Sequence, residues 1–294
     1  MNTTQAALPV ASHGWGTRIL QFPLTRIILP IAMIFGSLFG SGLLIKALVP
    51  EKSMRVAWPY LVLLSVCFGI YYLYVRLAEK RVMDEFSRRG ALPELARGIL
   101  WGSVLLSTVM TALAACDAYH VTGVNSWTVM LAPLPEIGMV ALMEEIVFRG
   151  ILFRVIEQSL GTWSALILSS LVFGAAHLGN DGVNTLGILN VVMAGAMLAG
   201  AYMLTRRLWL SIGLHFAWDY LLMSLFSVTV SGHPGYGLLE SSVTGPEWLT
   251  GGAFGVEASA VAVSVITSAT VHFVVTAMAQ KPFVLPFWKR AKVS

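Results

Sequence analysis

Eight apolar runs, each close to the length that crosses a lipid bilayer, dominate this chain of 294 residues. A membrane-spanning helix needs about 20 consecutive apolar residues. The runs cover residues 27–49, 57–75, 99–116, 127–148, 163–178, 185–205, 208–228 and 258–279. Only 12% of all residues are charged, whereas soluble domains carry about 25%. The pattern predicts an all-α, polytopic transmembrane helical bundle of about eight spans and excludes a soluble enzyme.

The basic residues fall almost entirely on one side of such a bundle. Eight spans place all but three of the 19 Lys and Arg residues on a single side, and the exceptions are Lys46, Lys52 and Arg55. Because basic residues accumulate in cytoplasmic loops, we predict that both termini are cytoplasmic and that the protein resides in the cell (inner) membrane. Orientation in the membrane explains the positive net charge, so no nucleic-acid partner is expected.

Two adjacent glutamates and an arginine interrupt the fourth apolar run, in the sequence ALMEEIVFRG at residues 141–150. Charged side chains at bilayer depth cost about 2.5–3.5 kcal/mol each on insertion scales, so they are rare without a function. On a helix, Glu145 and Arg149 lie one turn apart and can form an ion pair. Glu144 points to another face and is free to act as a general base. The alternative is a helix end at the cytoplasmic interface with a snorkelling arginine.

Two further pairs with helical spacing, each containing a histidine, lie downstream. Phe173 precedes His177 by one turn at the end of the fifth run, and His215 precedes Asp219 by one turn inside the seventh. A carboxylate one turn away can orient an imidazole or share its proton. Together with Glu144 these residues can activate water. In that arrangement Glu144 is the base, His177 helps to hold the water, and His215 stabilises an oxyanion.

Other hydrolytic chemistries lack their motifs in this sequence. The chain contains neither the HExxH motif of zinc peptidases nor the GxSxG motif of serine hydrolases. Cys67 and Cys116 lie in apolar runs without CxxC spacing, which indicates packing roles. The favoured mechanism requires no cofactor. A metal-dependent variant stays open, in which Glu144, His177 and His215 hold a divalent metal such as zinc.

The three motifs, in this order, resemble those of the CAAX-protease and bacteriocin-processing (Abi, CPBP) intramembrane endopeptidases, which include the type II CAAX prenyl endopeptidases. The family pattern is EExxxR, then FxxxH, then HxxxN or HxxxD. The resemblance covers about residues 133–220, and the matching residues are Glu144, Glu145, Arg149, Phe173, His177, His215 and Asp219. It implies an eight-helix fold with a glutamate-dependent hydrolytic site that opens toward the membrane.

The resemblance also implies roles for these residues. Glu144 and His177 correspond to the pair that activates the water, and His215 and Asp219 to the oxyanion side. An ionised Asp219 cannot donate the hydrogen bond that an asparagine donates at this position, so it must act protonated or through His215. Supporting roles fall to Glu145, Arg149 and Phe173.

The whole chain, residues 1–294, is predicted to form a single transmembrane domain with its catalytic core at about 127–228. Residues 76–97 mix basic and apolar side chains. They are expected to form an amphipathic cytoplasmic linker, either a helical loop or an interfacial helix against anionic lipid. Residues 229–256 contain no Lys or Arg and are predicted to form an external loop. The first apolar run is too long for a signal peptide and is expected to be retained.

The leading hypothesis is therefore an intramembrane endopeptidase. Its expected partners are the lipid bilayer and a membrane-associated peptide or protein substrate, with or without a lipid modification. One alternative is a non-enzymatic membrane scaffold or immunity protein that keeps the motifs for packing. Another is a transporter that uses the polar residues as a proton or ion path, although the inverted pair of broken helices common in transporters is not found. The older description of the family as metalloproteases corresponds to the metal-dependent variant.

Overall fold

The computed structural model describes residues 15–280 and 283–289. The N-terminal residues 1–14 and the basic residues Lys281, Arg290 and Lys292, which enter the orientation argument, lie outside the described residues. The described ranges are mainly helical, with loops between the helices and one small sheet. This confirms the all-α, polytopic helical class.

Four helices precede the polar motifs. A short helix, α1, covers Trp15–Gln21, and α2 covers Pro23–Leu48. Helix α3 covers Trp58–Tyr74 and continues into a π-helical turn at Val75–Glu79. Helix α4 covers Ala91–Ala115. The first three long apolar runs of the sequence thus form α2, α3 and α4.

The linker between α3 and α4 is folded against the bundle and is not a continuous interfacial helix. It contains a 3-10 turn at Asp84–Phe86, and α4 begins at Ala91 instead of the predicted position 99. The Arg81 guanidinium donates to Glu79 and Glu85 at 2.7 and 2.6 Å. Buried carboxylates therefore neutralise part of the basic charge that the sequence places on this side of the bundle.

The fourth predicted span is broken into several elements. A 3-10 turn at Trp127–Met130 precedes α5, Pro133–Glu145. A π-helical segment, Ile146–Phe153, and then α6, Arg154–Leu160, follow. Proline is tolerated in the first turn of a helix, which explains why α5 begins at its two prolines. π-helical turns occur frequently at functional sites, and this one carries the arginine of the first motif.

Five helices of the remaining chain are separated by turns and one long loop. Helices α7, α8 and α9 cover Thr162–Ala176, Thr185–Thr205 and Trp209–Ser224. The one-turn helix α10 covers Glu247–Thr250, and α11 covers Ala260–Gln280. The bounds of α8 coincide with those of the predicted sixth span.

In the described part of the chain, five helices are long and apolar enough to cross a membrane, namely α2, α3 with its π-helical turn, α4, α8 and α11. The other three predicted spans correspond to α5, α7 and α9, which are shorter. These short helices carry the polar motifs. The count of eight spans and the cytoplasmic placement of both termini stay predictions.

A small antiparallel sheet connects two segments that the sequence predicted as loops. Strand β1, Tyr119–Val124, pairs with β2, Leu239–Val243. Strand β2 lies within the predicted external loop 229–256, so the pairing anchors that loop to the segment that follows α4. The sequence predicts a loop here but does not predict its pairing with β1.

Helices α4 and α9 approach each other closely through glycines. A Cβ added at Gly98 would lie 2.2 Å from the carbonyl oxygen of Leu210, and one at Gly213 would lie 2.3 Å from that of Leu95. Small residues allow such backbone contact between membrane helices. The contact fixes α9, which carries the third motif, against the rest of the bundle.

Candidate active site

The first motif places its charged residues at the end of α5 and in the following π-helical segment. Glu145 and Arg149 form the expected ion pair, with 2.7 Å between Oε1 and Nη1, and their exposed fractions are 0% and 1%. Arg149 also donates to the carbonyl oxygen of Gly195 at 2.9 Å. Its guanidinium carbon lies 4.8 Å from the centre of the Phe173 ring. The buried arginine is tolerated because a carboxylate, a carbonyl and an aromatic face stabilise its charge.

His215 links the first and third motifs. Its Nδ1 lies 3.0 Å from Oε1 of Glu145, and its Nε2 lies 3.3 Å from Oδ2 of Asp219. Nε2 also lies 3.8 Å from Oε2 of Glu144. Three carboxylates therefore surround one imidazole, and a ring protonated on both nitrogens satisfies the two shorter contacts. The sequence indicated Asp219 as a partner of His215 but gave no sign of Glu145.

His177 is oriented by the end of its own helix. Its Nδ1 lies 2.8 Å from the carbonyl oxygen of Phe173. Since a carbonyl only accepts, Nδ1 carries the proton and Nε2 keeps a lone pair. The Phe173 ring centre lies 4.8 Å from that of His177 and 6.3 Å from that of His215. The Phe173 ring thus packs against both histidine rings and helps to fix their positions.

Glu144, His177, His215 and Asp219 all line one cavity of about 320 Å³. Most of its other walls are apolar side chains of α2, α5, α8 and α9. The Glu144 side chain is 18% exposed, whereas that of Glu145 is fully buried. Among the described residues, Oε2 of Glu144 has no hydrogen-bond partner. Oε2 of Glu145 also lacks a partner, but Glu145 does not line the cavity. Of the two adjacent glutamates, Glu144 is therefore the one available to a water molecule.

Two buried polar residues of this cavity were missed by sequence reasoning. Asn190 of α8 is 2% exposed, and a lone amide in an apolar run was the available signal. Glu257 is 6% exposed and accepts hydrogen bonds from Nε1 of Trp218 and the backbone nitrogen of Ser231, at 2.8 and 2.5 Å. Burial raises the pKa of Glu257, and the nearby Asp219 charge adds to this. No local pattern marks Glu257, because its contacts are all tertiary.

The residues named for the metal-dependent variant are not grouped as metal ligands in the described structure. Within residues 15–280 and 283–289, no three His, Cys, Asp or Glu side chains are placed to hold a metal ion. A zinc ion needs nitrogen and oxygen ligands at about 2.0–2.2 Å. Both nitrogens of His215 already face carboxylate oxygens, and Nδ1 of His177 faces a carbonyl. The ligand set expected for the metal-dependent variant, Glu144 with the two histidines, is therefore not assembled.

The fold and the site define a helical integral membrane protein with a buried acid–imidazole centre. Residues 126–221 match the family model described as Type II CAAX prenyl endopeptidase Rce1-like. This segment contains all three motifs and spans α5 to most of α9. The Bacillus subtilis (strain 168) protein named "Putative membrane peptidase YdiL" is 24% identical over 202 residues, which cover 64% of this chain and 77% of that protein.

Both comparisons agree with the family that the motifs indicated. The predicted resemblance to the CAAX-protease and bacteriocin-processing family is confirmed for the matched segment, residues 126–221. The comparisons support the general class of membrane protease.

Proposed function

We propose that this protein is an intramembrane endopeptidase that hydrolyses a peptide bond with a water molecule activated by Glu144 and His177. The observation that carries the proposal is the single cavity lined by Glu144 from α5, His177 from the end of α7 and His215 from α9. A carboxylate oxygen without a partner, an imidazole lone pair and a second imidazole between carboxylates meet there. These are groups suited to amide hydrolysis in a shielded site.

The reaction begins with water held between Oε2 of Glu144 and Nε2 of His177. Glu144 removes a proton as the water oxygen attacks the carbonyl carbon, and the carbonyl oxygen becomes an oxyanion. Protonated Glu144 then gives this proton to the amide nitrogen as the C–N bond breaks. The immediate products are a carboxylic acid and an amine. The acid gives its proton to the amine, which leaves a carboxylate and an ammonium group, and no covalent enzyme intermediate forms.

His215 acts on the oxyanion side of this reaction. Its ring is held on one side by Glu145 and on the other by Asp219, which favours a positively charged imidazole. Because Nε2 lies 3.8 Å from Glu144, negative charge that develops beside the attacking water is close to this ring. Asp219 acts through His215, so the carboxylate itself does not have to donate a hydrogen bond.

We propose a membrane-associated peptide or protein as the substrate. The cavity joins a charged floor to apolar walls, so an apolar segment of the substrate can be buried while its scissile bond reaches Glu144. Such a segment can carry a lipid modification, since α2 and α5 contribute apolar side chains to the wall. The proposed location is the cell inner membrane, with the basic loops in the cytoplasm.

Paired glutamine variants test the proposal in cells. Glu144→Gln keeps the size of the side chain and removes the base. Glu136→Gln is the matched control, because Glu136 also lies on α5 but does not line the cavity. New protein N-termini in membranes from cells that express each form are compared by mass spectrometry. We expect the same new N-termini with the wild type and Glu136→Gln, and their absence with Glu144→Gln.

The competing functions give different outcomes in the same strains. Identical N-termini from the wild type and Glu144→Gln would contradict the endopeptidase. Full complementation of a deletion strain by Glu144→Gln would support a scaffold or immunity protein. Ion or proton flux through proteoliposomes that is lost in the variant would support a transporter.

A further inference from the structure

Asn190 is a buried polar residue that the mechanism above does not use. Its side chain is 2% exposed, and within residues 15–280 and 283–289 its Oδ1 has no hydrogen-bond partner. Asparagine in a membrane helix commonly hydrogen-bonds to a neighbouring helix, but no such bond to its amide occurs among the described residues. A purely structural role therefore leaves the amide unexplained, because burying it unpaired destabilises the fold.

The register of α8 against α7 places Asn190 at the depth of the catalytic histidine. A Cβ added at Gly174 of α7 would lie 2.4 Å from Cγ2 of Val192. The two helices run antiparallel and are joined by a short connection, so moving toward the C-terminus on α7 corresponds to moving toward the N-terminus on α8. Two residues before Val192 is Asn190, and two residues after Gly174 is the residue that precedes His177. Asn190 and His177 therefore lie at a similar depth in the bundle. Both Asn190 and His177 line the cavity.

The other buried N–H groups of the cavity already face hydrogen-bond acceptors. Nδ1 of His177 faces the carbonyl oxygen of Phe173, and the nitrogens of His215 face two carboxylates. Nε1 of Trp218 donates to Glu257. Asp219 offers only acceptor oxygens while it is ionised. Among the described residues that line the cavity, Asn190 is thus the buried side chain whose N–H groups have no hydrogen-bond acceptor.

We propose that Asn190 is a further catalytic residue, whose amide N–H donates a hydrogen bond to the carbonyl oxygen of the scissile bond as negative charge develops on it. This inference rests on the proposed endopeptidase function. An oxyanion gains most from donors that are fixed in place before the reaction, in a site from which bulk water is excluded. A side chain on the rigid helix α8, buried among apolar neighbours, meets both conditions.

Two variants of Asn190 and a control on the same helix test the inference. Asn190→Leu preserves the volume and removes the donor, and Asn190→Asp replaces the amide with an acceptor. Met203→Leu changes a buried apolar residue of α8 that does not line the cavity. The substrate is a peptide that the wild type cleaves and Glu144→Gln does not. Purified full-length proteins in lipid nanodiscs are compared for kcat, KM and thermal midpoint.

We expect both Asn190 variants to lower kcat by about 10²–10³-fold, the loss typical of one missing oxyanion donor, with KM close to that of the wild type. The thermal midpoint of Asn190→Leu should stay unchanged or rise, because replacing an unpaired buried amide with an apolar group is neutral or stabilising. Met203→Leu should keep the wild-type kcat. Lower activity together with equal or higher stability is a combination that a structural role does not produce.

Each other outcome is decisive. A wild-type kcat in Asn190→Leu, with Glu144→Gln still inactive, would overturn the role of Asn190 and leave the proposed function intact. A fall in thermal midpoint that parallels the fall in kcat in both variants would assign Asn190 to the fold and would also overturn it. A wild type that cleaves no peptide faster than Glu144→Gln would contradict the endopeptidase itself, and this inference with it.

Discussion

Oε1 of Glu145 on α5 lies 3.0 Å from Nδ1 of His215 on α9, although the two residues are 70 positions apart in the chain. The same oxygen accepts a hydrogen bond from Arg149. One carboxylate oxygen therefore joins the first motif to the third. The two adjacent glutamates have different environments as a result, since Glu145 is tied to fixed partners while Glu144 lines the cavity.

The Glu145–Arg149 ion pair predicts a large loss of stability when only one partner is removed. Arg149→Met should lower the stability by about 3–5 kcal/mol, because the buried Glu145 carboxylate then keeps only His215 as a cationic partner. The double variant Glu145→Gln/Arg149→Met should recover much of this loss, since neither charge remains. Thermal midpoints in the same detergent measure both effects. Equal midpoints for Arg149→Met and the wild type would show that the pair does not hold the core.

Asp219 should be replaceable by an amide more readily than by an apolar residue. Asp219→Asn keeps an oxygen that accepts from Nε2 of His215, whereas Asp219→Leu removes it. Loss of a residue that orients another functional group typically costs about 10–100-fold in activity, so we expect that loss in Asp219→Leu and a smaller one in Asp219→Asn. The kcat values are compared between variants of equal thermal midpoint. Equal losses in both would refute a role exerted through His215.

Chelation separates the favoured mechanism from its metal-dependent variant. The described site does not assemble three ligands, so we expect peptide cleavage to persist after extended dialysis against EDTA and 1,10-phenanthroline. Cleavage lost on chelation and restored by added zinc would instead support the metal-dependent variant. A known zinc peptidase treated in parallel confirms that the chelators work.

The environment of Glu85 indicates that the protein becomes less stable at acid pH. Burial raises the pKa of Glu85, but hydrogen bonds and charge from Arg81 outweigh this and bring the pKa below its ordinary value. Such a carboxyl stabilises the fold above its unfolded pKa of about 4.3, and this stabilisation disappears as the pH falls through the lower folded value.

The corresponding measurement is the thermal midpoint of the wild type and of Glu85→Gln across the acid range. We expect a lower midpoint for Glu85→Gln at neutral pH, by an amount that corresponds to about 1–3 kcal/mol for a lost charged hydrogen bond. The difference should start to shrink below about pH 4.3, where the carboxyl of the unfolded chain takes up a proton, and should disappear once the folded carboxyl is protonated as well. A difference that stays constant with pH would mean that Glu85 does not titrate with folding.

Much of the fold could be predicted because bilayer thickness sets the length of an apolar run. The predicted sixth span has the same bounds as α8, Thr185–Thr205. The fourth was misjudged, because hydropathy does not show where an apolar run changes from α-helical to π-helical at Ile146–Phe153. The pairing of β1 with β2 was missed, because strand pairing between distant segments leaves no local pattern in either of them.

In the site, too, contacts within one helix could be predicted from the sequence, whereas contacts between helices could not. Helical spacing was enough to predict the Glu145–Arg149 pair and the His215–Asp219 pair, because each pair lies within one turn. The contact between Glu145 and His215 depends on how α5 packs against α9, so no spacing rule reveals it. The roles of isolated polar residues such as Asn190 likewise depend on what surrounds them in the folded bundle.

The most direct test of the central claim is the cleavage rate of purified wild type, Glu144→Gln and Glu136→Gln in lipid nanodiscs, with a peptide derived from the cellular N-termini. General acid–base catalysis contributes about 10²–10⁴-fold. We predict that the cleavage rate of Glu144→Gln is at least about 10²-fold lower than that of the wild type, with an unchanged thermal midpoint. Glu136→Gln should cleave at the wild-type rate. A Glu144→Gln protein that cleaves the peptide at the wild-type rate would contradict the account.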